Sequence, residues 1–115
     1  MNGTEVPNLF YNPYSWNRLA NVIFLESPKG VGFSYCDNKN CVNTDESTAV
    51  DAYDALINFF KGFPEYARND FFITGESYAG IYIPMLMEQV LISFLFHNNH
   101  SKLFVNSNTF LCQDW

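Results

Sequence analysis

The sequence predicts an α/β fold in which two parallel strands alternate with two helices, in the order β-α-β-α. Two continuous apolar runs, at residues 21–25 and 71–74, suit strands that are buried on both faces. Helical patterns of apolar residues follow them, over residues 44–61 and from about residue 79 towards residue 96. A helix between two such strands implies parallel pairing through a right-handed crossover. Because two strands cannot bury a parallel sheet by themselves, we expect the chain to be part of a larger sheet.

Turn-forming residues lie on both sides of the first predicted strand. Residues 1–20 are aromatic and rich in turn formers, and we interpret them as a loop whose rings pack on a neighbouring surface. The strand stops before Pro28, which lacks an amide donor and restricts the residue before it. Gly30 and Gly32 then permit tight backbone turns.

The two predicted helices have different boundary signals. Thr44 or Asp45 caps the first helix, and Gly62, as a left-handed cap, ends it together with the proline that follows. Pro84 must lie in the first turns of the second helix or kink it. The apolar stripe of the first helix comprises Val50, Tyr53, Leu56, Ile57 and Phe60.

Composition and charge exclude several classes of protein. The 115 residues are 48% apolar and 16% charged, which is typical of a folded domain. Twelve acidic against six basic residues give a net charge of −6, so no basic stripe is available to neutralise nucleic-acid phosphates. The longest strongly apolar stretch, at residues 90–96, is far shorter than the roughly 20 residues that span a bilayer. Met1 is not followed by the basic and apolar regions of a signal peptide. We expect no nucleic-acid partner and no membrane span.

Cysteines and glycosylation sequons bear on the cellular compartment. Cys36 and Cys41 enclose a run of turn formers, which is compatible both with a small loop disulfide and with two free thiols. No second ligand pair follows at a spacing suited to zinc, so we expect no metal site. Asn2 and Asn99 each begin an Asn-x-Ser/Thr sequon, which matters only if the chain enters the secretory pathway. With the acidic composition, these features favour a secretory or lysosomal setting.

The run Gly75-Glu76-Ser77-Tyr78-Ala79-Gly80 lies directly between the second predicted strand and the second predicted helix. That context is the one required for a nucleophile elbow, a sharp turn that projects a catalytic serine hydroxyl. Gly75 and Ala79 supply the small residues that such a turn needs two positions before and after Ser77, although the strict pattern prefers glycine at the later position. The Tyr78 amide can then donate to a developing oxyanion. The alternative is a serine that caps a helix and performs no chemistry.

Residues 8–90 resemble the serine carboxypeptidases, a family of α/β-hydrolase fold. The matching blocks occur in the family's order: Asn12-Pro13-Tyr14-Ser15-Trp16-Asn17, residues 20–28, Gly30-Val31-Gly32-Phe33-Ser34-Tyr35, Phe63-Pro64-Glu65-Tyr66, residues 75–80 and Tyr82-Ile83-Pro84. The resemblance implies that residues 1–97 are the central part of a carboxypeptidase-like α/β-hydrolase domain, incomplete at both ends. Residues 98–115 are expected to be a divergent polar tail.

The resemblance also assigns roles to three residues of the elbow. Ser77 is the nucleophile that attacks the last peptide bond of a substrate, and Tyr78 supplies one oxyanion-hole amide. Glu76 helps to hold the free C-terminal carboxylate of the substrate, in the family together with a second glutamate. Because close carboxylates share a proton, that arrangement favours binding at acidic pH. The expected partners are therefore peptide or protein C-termini, and no cofactor is implied. For Glu76, the alternative is a charge stabilised near a helix N-terminus.

Several departures from the family pattern point to a partial chain. The glycine-rich oxyanion segment of the family would lie upstream of residue 1, and its catalytic aspartate and histidine would lie downstream. His97 and His100 follow Ser77 by about twenty residues, at the far end of a predicted helix, so roughly 30 Å is expected to separate them from the nucleophile. Lys29 stands where the family usually has a small apolar residue. Neither histidine is assigned as the triad base.

Two classes of function follow from these observations. The first is a serine-type carboxypeptidase, a hydrolase acting in proteolysis, that is inactive as the isolated 115-residue chain; a serine carboxypeptidase-like acyltransferase is a variant that the sequence does not separate from it. The second is a truncated remnant without activity that binds a partner through unpaired sheet edges. For a full-length family member, the resemblance implies a glycoprotein of the secretory pathway, lysosomal, vacuolar or extracellular.

Overall fold

Two α-helices dominate the computed structural model, which describes residues 8–37 and 41–97. Helix α1 spans Asp45–Gly62 and helix α2 spans Ala79–His97. Short 3-10 turns at Trp16–Arg18 and Pro64–Tyr66 precede and follow α1. Both predicted helices are therefore confirmed, with boundaries close to those expected.

The prediction of a β-α-β-α fragment of an α/β-hydrolase fold, with parallel strands around the elbow, is wrong for the described residues. Neither residues 21–25 nor residues 71–74 form a strand, and the described chain is mostly helical. The physical reason is that a strand requires a neighbour to accept and donate its backbone hydrogen bonds, and the two apolar runs do not pair with each other here. Their side chains stay partly in solvent, with Phe24 80% and Phe72 50% exposed.

Thr44 caps the N-terminus of α1 through a reciprocal pair of hydrogen bonds with Ser47. Its hydroxyl accepts from the Ser47 amide at 3.1 Å, and the Ser47 hydroxyl accepts from the Thr44 amide at 2.9 Å. This capping box satisfies two backbone donors at the helix start. Hydrogen bonds from its own backbone amide and from the Thr44 side chain lower the pKa of Glu46. The predicted cap at Thr44 is confirmed.

The far end and the buried face of α1 differ from the sequence prediction. Gly62 is the last helical residue and has no positive φ, and Phe63, with φ −130°, is the C-cap, so the predicted left-handed glycine cap is wrong. The predicted stripe is right only in part, since Val50 is 44% exposed. The buried positions of the helix are Thr48, Ala49, Ala52 and Leu56. Of these, Ala52 and Leu56 pack against α2, and the small Ala52 side chain lets the two backbones approach closely.

The core lies between the two helices. Ala52 and Leu56 of α1 pack with Leu86 and Val90 of α2, and Tyr53, Phe71 and Ile73 pack partly buried against them. The Tyr53 hydroxyl also donates to Ser93 Oγ across the interface. Asp45, the first residue of α1, contacts Tyr78 just before α2, and Tyr53 in the middle of α1 contacts Ser93 in the later part of α2, so the helices run in the same general direction. Pro84 lies inside α2, as expected, and the helix continues past it to His97. No described helix is both long and apolar enough to cross a bilayer.

A loop closed by a disulfide lies beside the start of α1. Cys36 and Cys41 are joined, with their Cα atoms 5.8 Å apart, and a side chain at Gly30 would collide with Cys41. Lys29, the residue before Gly30, forms an ion pair with Asp51 of α1, with 3.0 Å between Nζ and Oδ2. These contacts attach the loop to the helix whose first turn approaches the candidate site.

Candidate active site

Ser77 occupies the sharp turn that leads into α2. The Ala79 amide donates to the Glu76 carbonyl at 3.2 Å, and the Gly80 amide donates to the Ser77 carbonyl at 3.0 Å. These two hydrogen bonds form a tight turn at Ser77, and the turn continues directly into α2. The serine itself is exposed to solvent.

The backbone of Ser77 adopts a left-handed conformation, with φ 59°. Ser77 is the only residue other than glycine with a positive φ in residues 8–37 and 41–97. Such a conformation costs an L-residue on the order of 1–2 kcal/mol, because Cβ approaches the following carbonyl oxygen. Strain of this kind is concentrated at functional sites, where it presents a side chain in a required direction. A strained serine between an extended segment and a helix is the geometry of a nucleophile elbow.

Gly75 allows this turn to close because it has no side chain. A Cβ at Gly75 would overlap the Cβ of Ala79 and lie 3.1 Å from Cδ1 of Ile83. The φ of Gly75 is not positive, so glycine is required here for space and not for backbone freedom. The small residues at positions 75 and 79 therefore pack against each other across the base of the turn.

Backbone donors at the turn are available to a ligand. Within the described residues, the amides of Ser77 and Tyr78 donate to no backbone or side-chain acceptor. They precede the first residue of α2, where the unpaired amides of a helix carry partial positive charge. An oxygen that develops negative charge beside Ser77 Oγ would find a donor there.

The side chain of Tyr78 extends to the start of α1. Its hydroxyl donates to the Asp45 carboxylate, with distances of 3.2 Å to Oδ1 and 3.1 Å to Oδ2. Its ring meets that of Tyr82 edge to face, with centroids 4.9 Å apart. The hydrogen bond to Asp45, and then the negative charge of Asp45, raise the pKa of the Tyr78 phenol. The contact between Asp45 and Tyr78 was not predictable from the sequence, because 33 positions separate the two residues and only helix packing brings them together.

Glu76 is exposed and its carboxylate has no hydrogen-bond or ion-pair partner among the described residues. It lies beside Ser77, so the structure leaves it accessible to a ligand bound at the elbow. Gly80 is the second residue of α2 and contributes its amide to the turn.

His97 lies at the opposite end of α2 from the elbow. Because a helix rises about 1.5 Å per residue, its backbone is on the order of 27 Å from the start of the helix. The expectation that His97 is remote from Ser77 is confirmed. His100, Asn2, Asn99 and Cys112 lie outside the described residues. Residues 8–37 and 41–97 contain no group of three His, Cys, Asp or Glu side chains placed to hold a metal ion.

Comparison with known proteins matches residues 1–108 to the family model described as serine carboxypeptidase. The chain is 58% identical to the lysosomal protective protein of Mus musculus over 83 residues, which cover 72% of the chain and 18% of that protein. It is 52% identical to a serine carboxypeptidase of Caenorhabditis elegans over 84 residues, covering 73% of the chain and 18% of the relative. Serine carboxypeptidase-like 21 of Arabidopsis thaliana is 47% identical over 104 residues, or 90% of the chain and 20% of that protein.

The chain thus spans about a fifth of the length of the curated relatives that it matches. The family match extends across nearly the whole sequence and includes the turn around Ser77. This chain belongs to the serine carboxypeptidase family.

Proposed function

We propose that the chain provides the nucleophile region of a serine-type carboxypeptidase, which removes residues from the C-terminus of peptides. The observation that carries this proposal is the left-handed φ of 59° at Ser77, on a turn that only small flanking residues allow. A serine that merely capped a helix would have the ordinary extended backbone of a cap, as Thr44 does with φ −117° and ψ 166°.

The reaction begins with attack of Ser77 Oγ on the carbonyl carbon of the last peptide bond, while a histidine base takes the hydroxyl proton. Negative charge then develops on the carbonyl oxygen, where the Tyr78 amide donates a hydrogen bond. The C–N bond breaks, the C-terminal residue leaves as an amine with the transferred proton, and an ester to Ser77 remains. Water hydrolyses that ester. The base and a second oxyanion donor are expected from the remaining four-fifths of the family protein.

Glu76 is the residue proposed to recognise the free carboxylate of the substrate. Two carboxylates in contact repel unless a proton lies between them, so this contact requires that the pair share a proton. Recognition of this kind is stronger in acid. The accessible position of Glu76 beside Ser77 supports the assignment.

We place the protein in the secretory pathway, in a lysosomal or related compartment. The disulfide between Cys36 and Cys41 supports this location, because disulfides persist in oxidising compartments and are rare in the cytosol. One relative bears the name lysosomal protective protein. An acidic compartment also suits a site where two carboxylates share a proton.

Labelling by a fluorophosphonate probe tests the nucleophile. We expect the probe to label a chimera in which this chain replaces the aligned segment of the C. elegans relative, so that the rest of the fold is present. Ser77→Ala should abolish labelling, because Ser77 is the one serine of residues 75–80. Ser15→Ala is the matched control at a partly buried serine outside the elbow and should label normally. Labelling that survives Ser77→Ala would remove the nucleophile assignment.

Substitution of Glu76 tests carboxylate recognition in the same chimera. Glu76→Gln keeps the shape of the side chain but removes the charge and the shared proton. We expect KM for peptides with a free C-terminus to rise on the order of tenfold at acidic pH, since hydrogen bonds between charged groups contribute about 1.5–3 kcal/mol. Peptides with an amidated C-terminus are the control and should change little. Equal effects on both peptides would show that Glu76 does not bind the carboxylate.

A further inference from the structure

The N-terminal ends of α1 and α2 are joined by one side-chain contact, between Asp45 and Tyr78. Asp45 is the first residue of α1 and Tyr78 immediately precedes α2. Tyr78 is also the residue whose backbone amide is proposed to stabilise the oxyanion. The same residue is thus held by its phenol at one end and presents its amide at the other.

We propose, on the basis of the function proposed above, that Asp45 is a positioning residue that holds Tyr78 so that its amide stays aimed at the reacting carbonyl oxygen. The amide follows the strained backbone of Ser77, whose left-handed φ of 59° would relax if the next residue were free to move. Oxyanion stabilisation depends on donors that are already in place when charge develops. A fixed Tyr78 side chain restrains the peptide unit that carries the donor.

Asp45 is well suited to this role because α1 holds it firmly. The capping box formed by Thr44 and Ser47 closes the first turn around it. A carboxylate is also stabilised in the first turn of a helix, where backbone amides carry partial positive charge. The Tyr78 ring also contacts the Tyr82 ring, with centroids 4.9 Å apart, which helps to hold the side chain where its hydroxyl reaches Asp45.

The titratable groups that lie near the Tyr78 hydroxyl come from both helices. Asp45 of α1 accepts its hydrogen bond, and Tyr82 of α2 is the titratable group next to it on its own side.

Titration of the Tyr78 phenol tests the contact without any need for activity. The full 115-residue chain is labelled with ¹³C at tyrosine Cζ, the Tyr78 signal is assigned as the one lost in Tyr78→Phe, and its pKa is followed by NMR. We expect Asp45→Asn to lower the pKa of Tyr78 towards its ordinary value of about 10, because the negative charge is removed. Asp54→Asn, at an exposed aspartate of the same helix, is the matched control and should leave it unchanged. An unchanged pKa in Asp45→Asn overturns the proposal.

The positioning role is tested by a double-mutant cycle in the chimera. We expect Asp45→Ala and Tyr78→Phe each to slow fluorophosphonate labelling by roughly three- to tenfold, the range of one typical hydrogen bond. The double variant should be no slower than either single variant, because both remove the same contact. Asp54→Ala should label normally.

Two other outcomes have distinct meanings. Additive losses from Asp45→Ala and Tyr78→Phe, or an equal loss from Asp54→Ala, would overturn the positioning role and leave Ser77 as the nucleophile. Absence of labelling in the unsubstituted chimera would overturn the proposed function, and the positioning role with it, while the phenol titration would still report whether the contact exists.

Discussion

The 115-residue polypeptide, prepared as it stands, is expected to release no measurable C-terminal amino acids from peptides. Ser77 has the conformation of a nucleophile, but α2 carries His97 to its far end, and no other histidine occurs in the described residues. Without a base, the hydroxyl keeps its proton. Members of a catalytic triad act as a unit, so losing the histidine costs about as much as losing all three, on the order of a millionfold.

Digestion of a peptide with a free C-terminus, followed by mass spectrometry, measures this directly. The chimera with the C. elegans relative is the positive control, because it adds the remainder of the family fold to the same elbow. Release of C-terminal residues by the 115-residue polypeptide would contradict the expectation and would require a base within this chain.

Size-exclusion chromatography of the same sample tests a related expectation, that the polypeptide associates with itself. Large apolar side chains of the first segment are exposed to solvent: Leu9 90%, Phe10 89%, Leu19 97%, Phe33 95% and Tyr35 81%. Such a surface exceeds what soluble monomers usually tolerate. A monomer at all concentrations would contradict this expectation.

Gly75→Ala is expected to reduce fluorophosphonate labelling of the chimera by roughly a hundredfold. The new methyl group would overlap the Cβ of Ala79, so the turn must open before it can hold Ser77. Displacement of a catalytic group by about 1 Å costs on the order of 10²-fold in rate. The experiment compares second-order labelling rates with circular dichroism of each variant, so that a loss of folding is recognised separately.

Relief of the overlap provides a sharper version of this test. The double variant Gly75→Ala, Ala79→Gly exchanges the positions of the methyl group and the hydrogen, and should restore most of the labelling rate. Some loss will persist because glycine in the first turn of α2 costs up to about 1 kcal/mol of helix stability. Gly62→Ala is the matched control, since nothing lies within 4 Å of a Cβ at that position. If Ala79→Gly fails to rescue the single variant while the protein stays folded, the steric role of Gly75 is wrong.

Both helices were predictable from sequence because their signals are local. The cap at Thr44 and the periodicity of the apolar residues need only a few neighbouring positions to operate. The buried face of α1 was less predictable. Ala49 and Ala52 are buried while Val50 is 44% exposed, because the face that becomes covered depends on how other segments pack against the helix, which is a tertiary event.

The prediction of the two strands was wrong because strand formation, unlike helix formation, depends on residues that are distant in the sequence. Their apolar runs are real, and Phe71 and Ile73 do pack partly against the helical core. An apolar run, however, predicts only that a segment tends to be buried. Whether it becomes a strand depends on backbone partners, and neither run provides one for the other in the described residues.

The sequence by itself determined the family, the position of the turn that carries Ser77 and the need for small residues around it, because all three depend on residues adjacent along the chain. The tertiary structure decided how residues that are far apart in the sequence are placed relative to one another. It brought Asp45 to Tyr78 across 33 positions, placed His97 far from Ser77, and left the two apolar runs unpaired with each other. Contacts of this kind arise only when helices pack, since packing depends on the shape of both surfaces at once.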